Sequence, residues 1–120
     1  MKLDFGLLFL RVSSGLMMIP HGWAKLSGFT TKMSSFPDPL GISSQASLTG
    51  TVFAEFFCAI LLVLGIKTKW VTIPLIFTML VAAFVVHASD PWNKKEFPLL
   101  YAAIFAALTM TGGGKFSIKE

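Results

Sequence analysis

Apolar residues fill four stretches of the chain, at roughly 3–24, 48–66, 70–89 and 97–112, and Ser, Gly, Pro, Lys and Asp collect between them. A helix crosses the hydrocarbon layer of a bilayer with about 20 mostly apolar residues, whereas membrane strands show about ten residues of strict alternation. None of the stretches alternates. The pattern therefore predicts an all-α fold, an integral membrane four-helix bundle with both termini on the same side. Residues 1–120 are read as a single transmembrane domain, with no internal repeat.

Glycine and proline divide the runs. Pro20 removes one hydrogen bond from span one and is expected to kink or loosen the turn before His21. That turn reads either as part of a ligand pocket or as a helix end near the interface, with Trp23 as an aromatic anchor. Residues 25–47 form the longest connection, and Phe36-Pro37-Asp38-Pro39-Leu40-Gly41 at its centre excludes a regular helix. It is expected to lie on one membrane face and cap the bundle, with Ser47 or Thr49 near the start of span two. Gly65, Lys67 and Lys69 mark a short turn, so spans two and three are antiparallel neighbours. Pro98 suits the first turn of span four, and Gly112-Gly113-Gly114 end it. Lys2 before Phe5–Leu10 resembles the start of a signal peptide, but the apolar part is short and no small-x-small site follows it. It is read as a retained first span.

Composition supports the membrane assignment: 54% of residues are hydrophobic and 13% charged, far from the soluble average. The net charge of +4 is carried by lysines spread through the loops and not clustered with aromatics, which argues against nucleic acid as a partner. Lys2, Lys67, Lys69, Lys115 and Lys119 fall on the side of the termini, against Lys25, Lys32, Lys94 and Lys95 on the other. The excess is slight and predicts cytoplasmic termini. Cys58 is the one cysteine, so no internal disulfide can form, and it is expected to pack in the core.

Arg11, Ser14, Met18, His21 and Lys25 follow spacings of three and four and line up along one helix face. Arg11 and Glu55 are the two charged residues well inside apolar runs, and they have opposite signs. By helix rise they sit at about 9 and 16 Å from the same side, so they are expected to face each other across spans one and two. Such a pair either fixes helix register or takes part in chemistry. His21 and His87 reach a common depth of about 25 Å, with Lys25 and Glu96 at the same end. Together Arg11, His21, Lys25, Glu55, His87 and Glu96 outline a polar pocket narrowing into the bundle. A quinone head group, whose carbonyls accept hydrogen bonds and protons, suits such a set, with His21 and His87 as its cofactor-binding residues. The alternative is two interfacial histidines bonded to backbone or lipid head groups. A haem would need both rings in one cavity and is not favoured, and the spacings give no metal-ligand motif.

Pro20-His21-Gly22-Trp23-Ala24-Lys25, Glu55, His87 and the ending Leu108-Thr109-Met110-Thr111-Gly112-Gly113-Gly114-Lys115-Phe116-Ser117 together resemble the DoxX family. Gly113 stands where that ending carries proline. The resemblance implies a four-helix protein of the bacterial inner (plasma) membrane, of a family linked to membrane oxidoreductase systems. What it transfers residue by residue is the polar set Arg11, His21, Lys25, Glu55 and His87.

The resulting expectation is a quinone-interacting or oxidoreductase-associated membrane subunit, with the lipid bilayer and a redox partner protein as its surroundings. A homo-oligomer is left open. The competing readings are a non-catalytic scaffold or assembly subunit, and a small-molecule or lipid transporter favoured by a pocket open on both sides.

Overall fold

A computed structural model of the chain describes residues 2–120. All of the regular structure among the described residues is helical: α1 (Lys2–Ser27), a single turn α2 (Phe29–Lys32), α3 (Ser44–Leu64), α4 (Thr68–Val86) and α5 (Trp92–Thr111). Helices α1, α3 and α4 are long and apolar enough to cross a membrane. Helix α5 opens with Trp92-Asn93-Lys94-Lys95-Glu96, and these charges set it apart from the other three.

The helices begin earlier than the apolar runs do, because caps and not hydrophobicity set their ends. Ser43 accepts the Ala46 N–H at 3.0 Å and starts α3 one turn ahead of the apolar stretch, where Ser47 or Thr49 was expected. Pro91 precedes Trp92 in an extended conformation, so α5 starts in the polar connection and Pro98 lies in its second turn. Pro20 does not end α1, which continues through Trp23 to Ser27. The 65–67 turn depends on two left-handed residues, Gly65 at φ 73° and Lys67 at φ 52°. At Gly65 a Cβ would also meet the Ser117 backbone at 2.7 Å, so only glycine fits there.

Helix α1 packs along α3, α3 against α4, and α4 against α5, with a lighter contact between α5 and α1. The core joins Met18 of α1, Ala54, Cys58, Ala59 and Leu62 of α3, Leu75 and Met79 of α4, and Ala102, Phe105 and Leu108 of α5. Small residues at 54, 59 and 102 let the backbones approach, as membrane helices require when lipid gives no hydrophobic drive for association. A hydroxyl bond of 2.6 Å between Thr72 and Thr109 ties α4 to α5. Large side chains such as Leu3, Phe9, Met17, Phe77, Phe84 and Met110 point outward, an arrangement suited to lipid and not to water. Trp23, Trp70 and Trp92 are exposed near helix ends, where aromatic anchors belong.

The segment after Gly112 folds back over the end of the bundle. Ile118 and Lys119 donate their N–H groups to the carbonyls of Leu64 and Gly65, and the Lys67 N–H returns a bond of 2.8 Å to Lys119. Asp4 at the start of α1 accepts the Lys115 N–H at 3.0 Å. The two ends of the described chain therefore lie side by side.

Candidate functional site

A cavity of about 390 Å³ lies at the other end of the bundle, among α1, α3, α4 and the connection between α2 and α3. Its walls are mostly apolar: Pro74, Phe77, Val81 and Val86 on α4, and Phe36, Pro37, Leu40 and Ile42 above them. Three ionisable side chains reach it, Lys25, Glu55 and His87. Lys25 Nζ donates to Glu55 Oε1 at 2.7 Å, with Glu55 5% exposed and Lys25 half-buried. An ion pair removed from water this far needs its partner, because an uncompensated buried carboxylate is costly. His87 Nδ1 lies 2.7 Å from Asp90 Oδ2 at the rim.

Local backbone geometry places these groups. Glu55 belongs to a π-helical segment, Phe53–Cys58, within α3, and His87 directly follows a second one, Ala82–Val86, that ends α4. Both segments supply residues to the same cavity, Glu55 from one and Ala82 and Val86 from the other. A π segment adds a residue to the turn and turns the side chains after it away from the regular register, which is why such segments gather at functional sites. Gly22 of α1 presses on the first of them. A Cβ at position 22 would stand 2.5 Å from the Glu55 carbonyl carbon and the Phe56 nitrogen. This close approach brings Lys25, less than one turn further along α1, within reach of Glu55.

The connection above the cavity is held by Asp38, whose significance the sequence did not disclose. Its carboxylate accepts the Ile42 and Ser43 N–H groups at 3.0 and 2.9 Å and the Ser47 hydroxyl at 2.9 Å. Desolvation pushes the Asp38 carboxyl up, but the bonds from Ser47, Ser43, Ile42 and Gly41 outweigh it and hold the group below the ordinary aspartate value. Fixed in this way, the loop presents Phe36, Pro37, Pro39, Leu40 and Ile42 to the cavity.

Not all of the expected pocket assembles. The pairing of Arg11 with Glu55 does not occur: Lys25 takes the carboxylate, and Arg11 turns to the C-terminal segment. Arg11 is 1% exposed, and its guanidinium donates to Gly113 O at 2.8 Å, Ser117 Oγ at 2.9 Å and Phe116 O at 3.2 Å. The physical reason is supply, since two carbonyls and a hydroxyl brought by the folded-back tail accept from both terminal nitrogens of the fork, with the Glu120 charge nearby. His21 lies outside the cavity as an exposed side chain whose ring meets Tyr101 of α5 edge to face, with centroids 6.4 Å apart. Glu96 is exposed on the first turns of α5 and also lies outside the cavity. The polar funnel of six residues thus resolves into Lys25, Glu55 and His87 at the cavity, with Arg11, His21 and Glu96 elsewhere. The two imidazoles do not share one space, so the arrangement for a bis-histidine haem is not present among the described residues.

Near the tail a second, smaller cavity of about 240 Å³ is bordered by Lys67, Thr68, Lys69, Trp70, Thr111, Gly112–Gly114 and Glu120. Glu120 accepts the Thr68 N–H at 3.0 Å and the Gly113 N–H. Burial pushes its carboxyl up, but these backbone bonds and the nearby Arg11 charge prevail and hold it below the ordinary glutamate value.

No curated protein and no solved structure matches the chain. The DoxX family model matches residues 6–88, which contain α1, α3 and α4 almost entirely, together with Lys25, Glu55 and His87. The match covers more than half of the sequence and agrees with three membrane-capable helices, so the chain is a membrane protein that belongs to the DoxX family.

Proposed function

We propose that this protein is a quinone-interacting, oxidoreductase-associated subunit of a bacterial inner membrane, spanning it four times with both termini in the cytoplasm. The observation that carries the reading is the cavity: apolar walls suited to a ring and the start of a prenyl tail, joined to the Lys25–Glu55 pair and His87. Small-molecule sites combine mostly apolar lining with a few placed polar groups in volumes of about 300–1,000 Å³, and this one falls in that range. Lys25 and His87 offer N–H donors to carbonyl oxygens, and both stand beside carboxylates that hold them in place. Counting α5 as the fourth span is supported by its packing on α4 and its exposed Leu100 and Met110. A redox partner protein would supply or take the electrons.

The test is a thermal-unfolding series in mild detergent with decylubiquinone. A ligand at 100 times its Kd adds about 2.7 kcal/mol to the folded state, which is readily seen as a raised midpoint. The rise is expected in the unaltered protein and in His21→Ala, and is expected to vanish in Glu55→Gln and His87→Ala. A midpoint that decylubiquinone leaves unchanged in the unaltered protein would reject the quinone reading. The burial of Arg11 in purely structural bonds favours one second reading, a scaffold subunit. In that case Glu55→Gln would reduce folded yield, His87→Ala would do little, and neither would change any ligand response.

A further inference from the structure

Outside the residues already assigned, Asp90 is the carboxylate in direct contact with a group that lines the cavity. It sits in the turn between α4 and α5, and its Oδ2 is 2.7 Å from His87 Nδ1. An ionised carboxylate only accepts hydrogen bonds, so the proton in this contact belongs to Nδ1. With Nδ1 engaged, Nε2 is the ring nitrogen left for the cavity. We propose that Asp90 is a positioning residue: it fixes the tautomer and orientation of His87 so that Nε2 serves a hydroxyl or carbonyl oxygen of the cavity's ligand. The choice of ligand rests on the quinone reading above.

The surroundings make this arrangement specific. The π segment Ala82–Val86 ends α4 and sets where His87 emerges, and the His87 N–H bonds to the Ala82 carbonyl at 3.0 Å. Lys95 of α5 braces the same turn from the other side, donating to the Ala88 carbonyl at 3.0 Å. The charged groups around the imidazole are therefore Asp90 on its own turn, Lys95 on α5, and Lys25 with Glu55 on the cavity lining. Lys25 and Glu55 are committed to each other, and Lys95 to a carbonyl, which leaves Asp90 to orient the ring. The result is a cavity in which each nitrogen donor is held by its own carboxylate, Lys25 by Glu55 and His87 by Asp90. A neutral oxygen-bearing amphiphile fits such a balanced pair of donors better than a cation does.

The sequence holds two histidines, so ¹⁵N-histidine labelling of the whole protein in detergent gives two pairs of imidazole nitrogen signals, and His87→Ala assigns them. The unaltered protein should show His87 carrying its proton on Nδ1 when neutral. Asp90→Ala should release it to a mixture of tautomers, and Asp90→Glu should restore the Nδ1–H form. Asp90 is exposed in a turn, so these variants are expected to fold. Decylubiquinone should bind about 3- to 10-fold more weakly to Asp90→Ala, the loss of one orienting hydrogen bond, and its binding should shift the Nε2 signal in the unaltered protein. An unchanged tautomer in Asp90→Ala overturns the positioning role whatever the cavity binds. A changed tautomer with undiminished quinone affinity overturns it as well. Absence of quinone binding in the unaltered protein, with the tautomer response intact, rejects the quinone reading and leaves Asp90 orienting His87 for a different oxygen ligand.

Discussion

An arginine placed within an apolar helix must spend its donors on something other than lipid, and Arg11 spends them on oxygens delivered from residues 113–117. Removing it would strand two backbone carbonyls and a hydroxyl, the Gly113 carbonyl in a buried setting and the others in a part-buried one. Arg11→Ala is expected to lower stability by about 3–5 kcal/mol, read as a fall in the thermal midpoint in detergent, while Arg11→Lys, which keeps the charge but not the fork, should recover only part of it. The sequence marked Arg11 and Glu55 as out of place in their runs, and both are buried. It could not show their partners. Periodicity states which face of a helix a residue occupies, but Arg11's partners lie more than 100 positions away on a segment with no periodicity at all. The nearer solution for Glu55, Lys25 on the same stripe as Arg11, was visible in the spacing, but Arg11 and Glu55 pointed to each other as the two opposite charges well inside apolar runs.

At the level of the helix, the two π segments do what composition cannot announce. An inserted residue leaves an apolar run as apolar as before, so Phe53–Cys58 and Ala82–Val86 read as ordinary helix until the backbone is seen. Gly22 was legible as a close-packing residue, and its contact with the Glu55–Phe56 peptide shows how close. Gly22→Ala should push α1 off α3, cost about 1–3 kcal/mol in spite of alanine's better helix propensity, and separate Lys25 from Glu55. A cysteine pair placed across α1 and α3 for distance measurement by spin labels would register the displacement, and an unchanged separation would count against the tight contact. The helix ends were the least legible part, because Ser43 and Pro91 start α3 and α5 within segments whose polarity reads as loop.

For the whole molecule, one end of the bundle is bound by its tail and the other is hollow. The tail's attachment has a defined pH response. Glu120 is held below its ordinary value of 4.5 in the folded state, so its contribution is complete at neutral pH and declines as pH falls through that lowered value. Acidification below about 4.5 should therefore loosen the segment after Gly112, with a change in the fluorescence of Trp70, which borders the same small cavity. Glu120→Gln should show the loosened state already at neutral pH, and a Trp70 signal indifferent to both changes would contradict the attachment. Such a fold-back was not legible, since Lys115–Glu120 carries neither apolar pattern nor cap, and its conformation follows from the carbonyls and N–H groups that the 64–68 turn leaves unpaired.

The closed end has a consequence for traffic. Between the tail and the hollow, Met18, Cys58, Leu62, Leu75 and Phe105 fill the interior, so the compartment beside Lys25 is a cul-de-sac. A molecule held there could not pass on toward the tail, so the hollow gives no passage through the bundle.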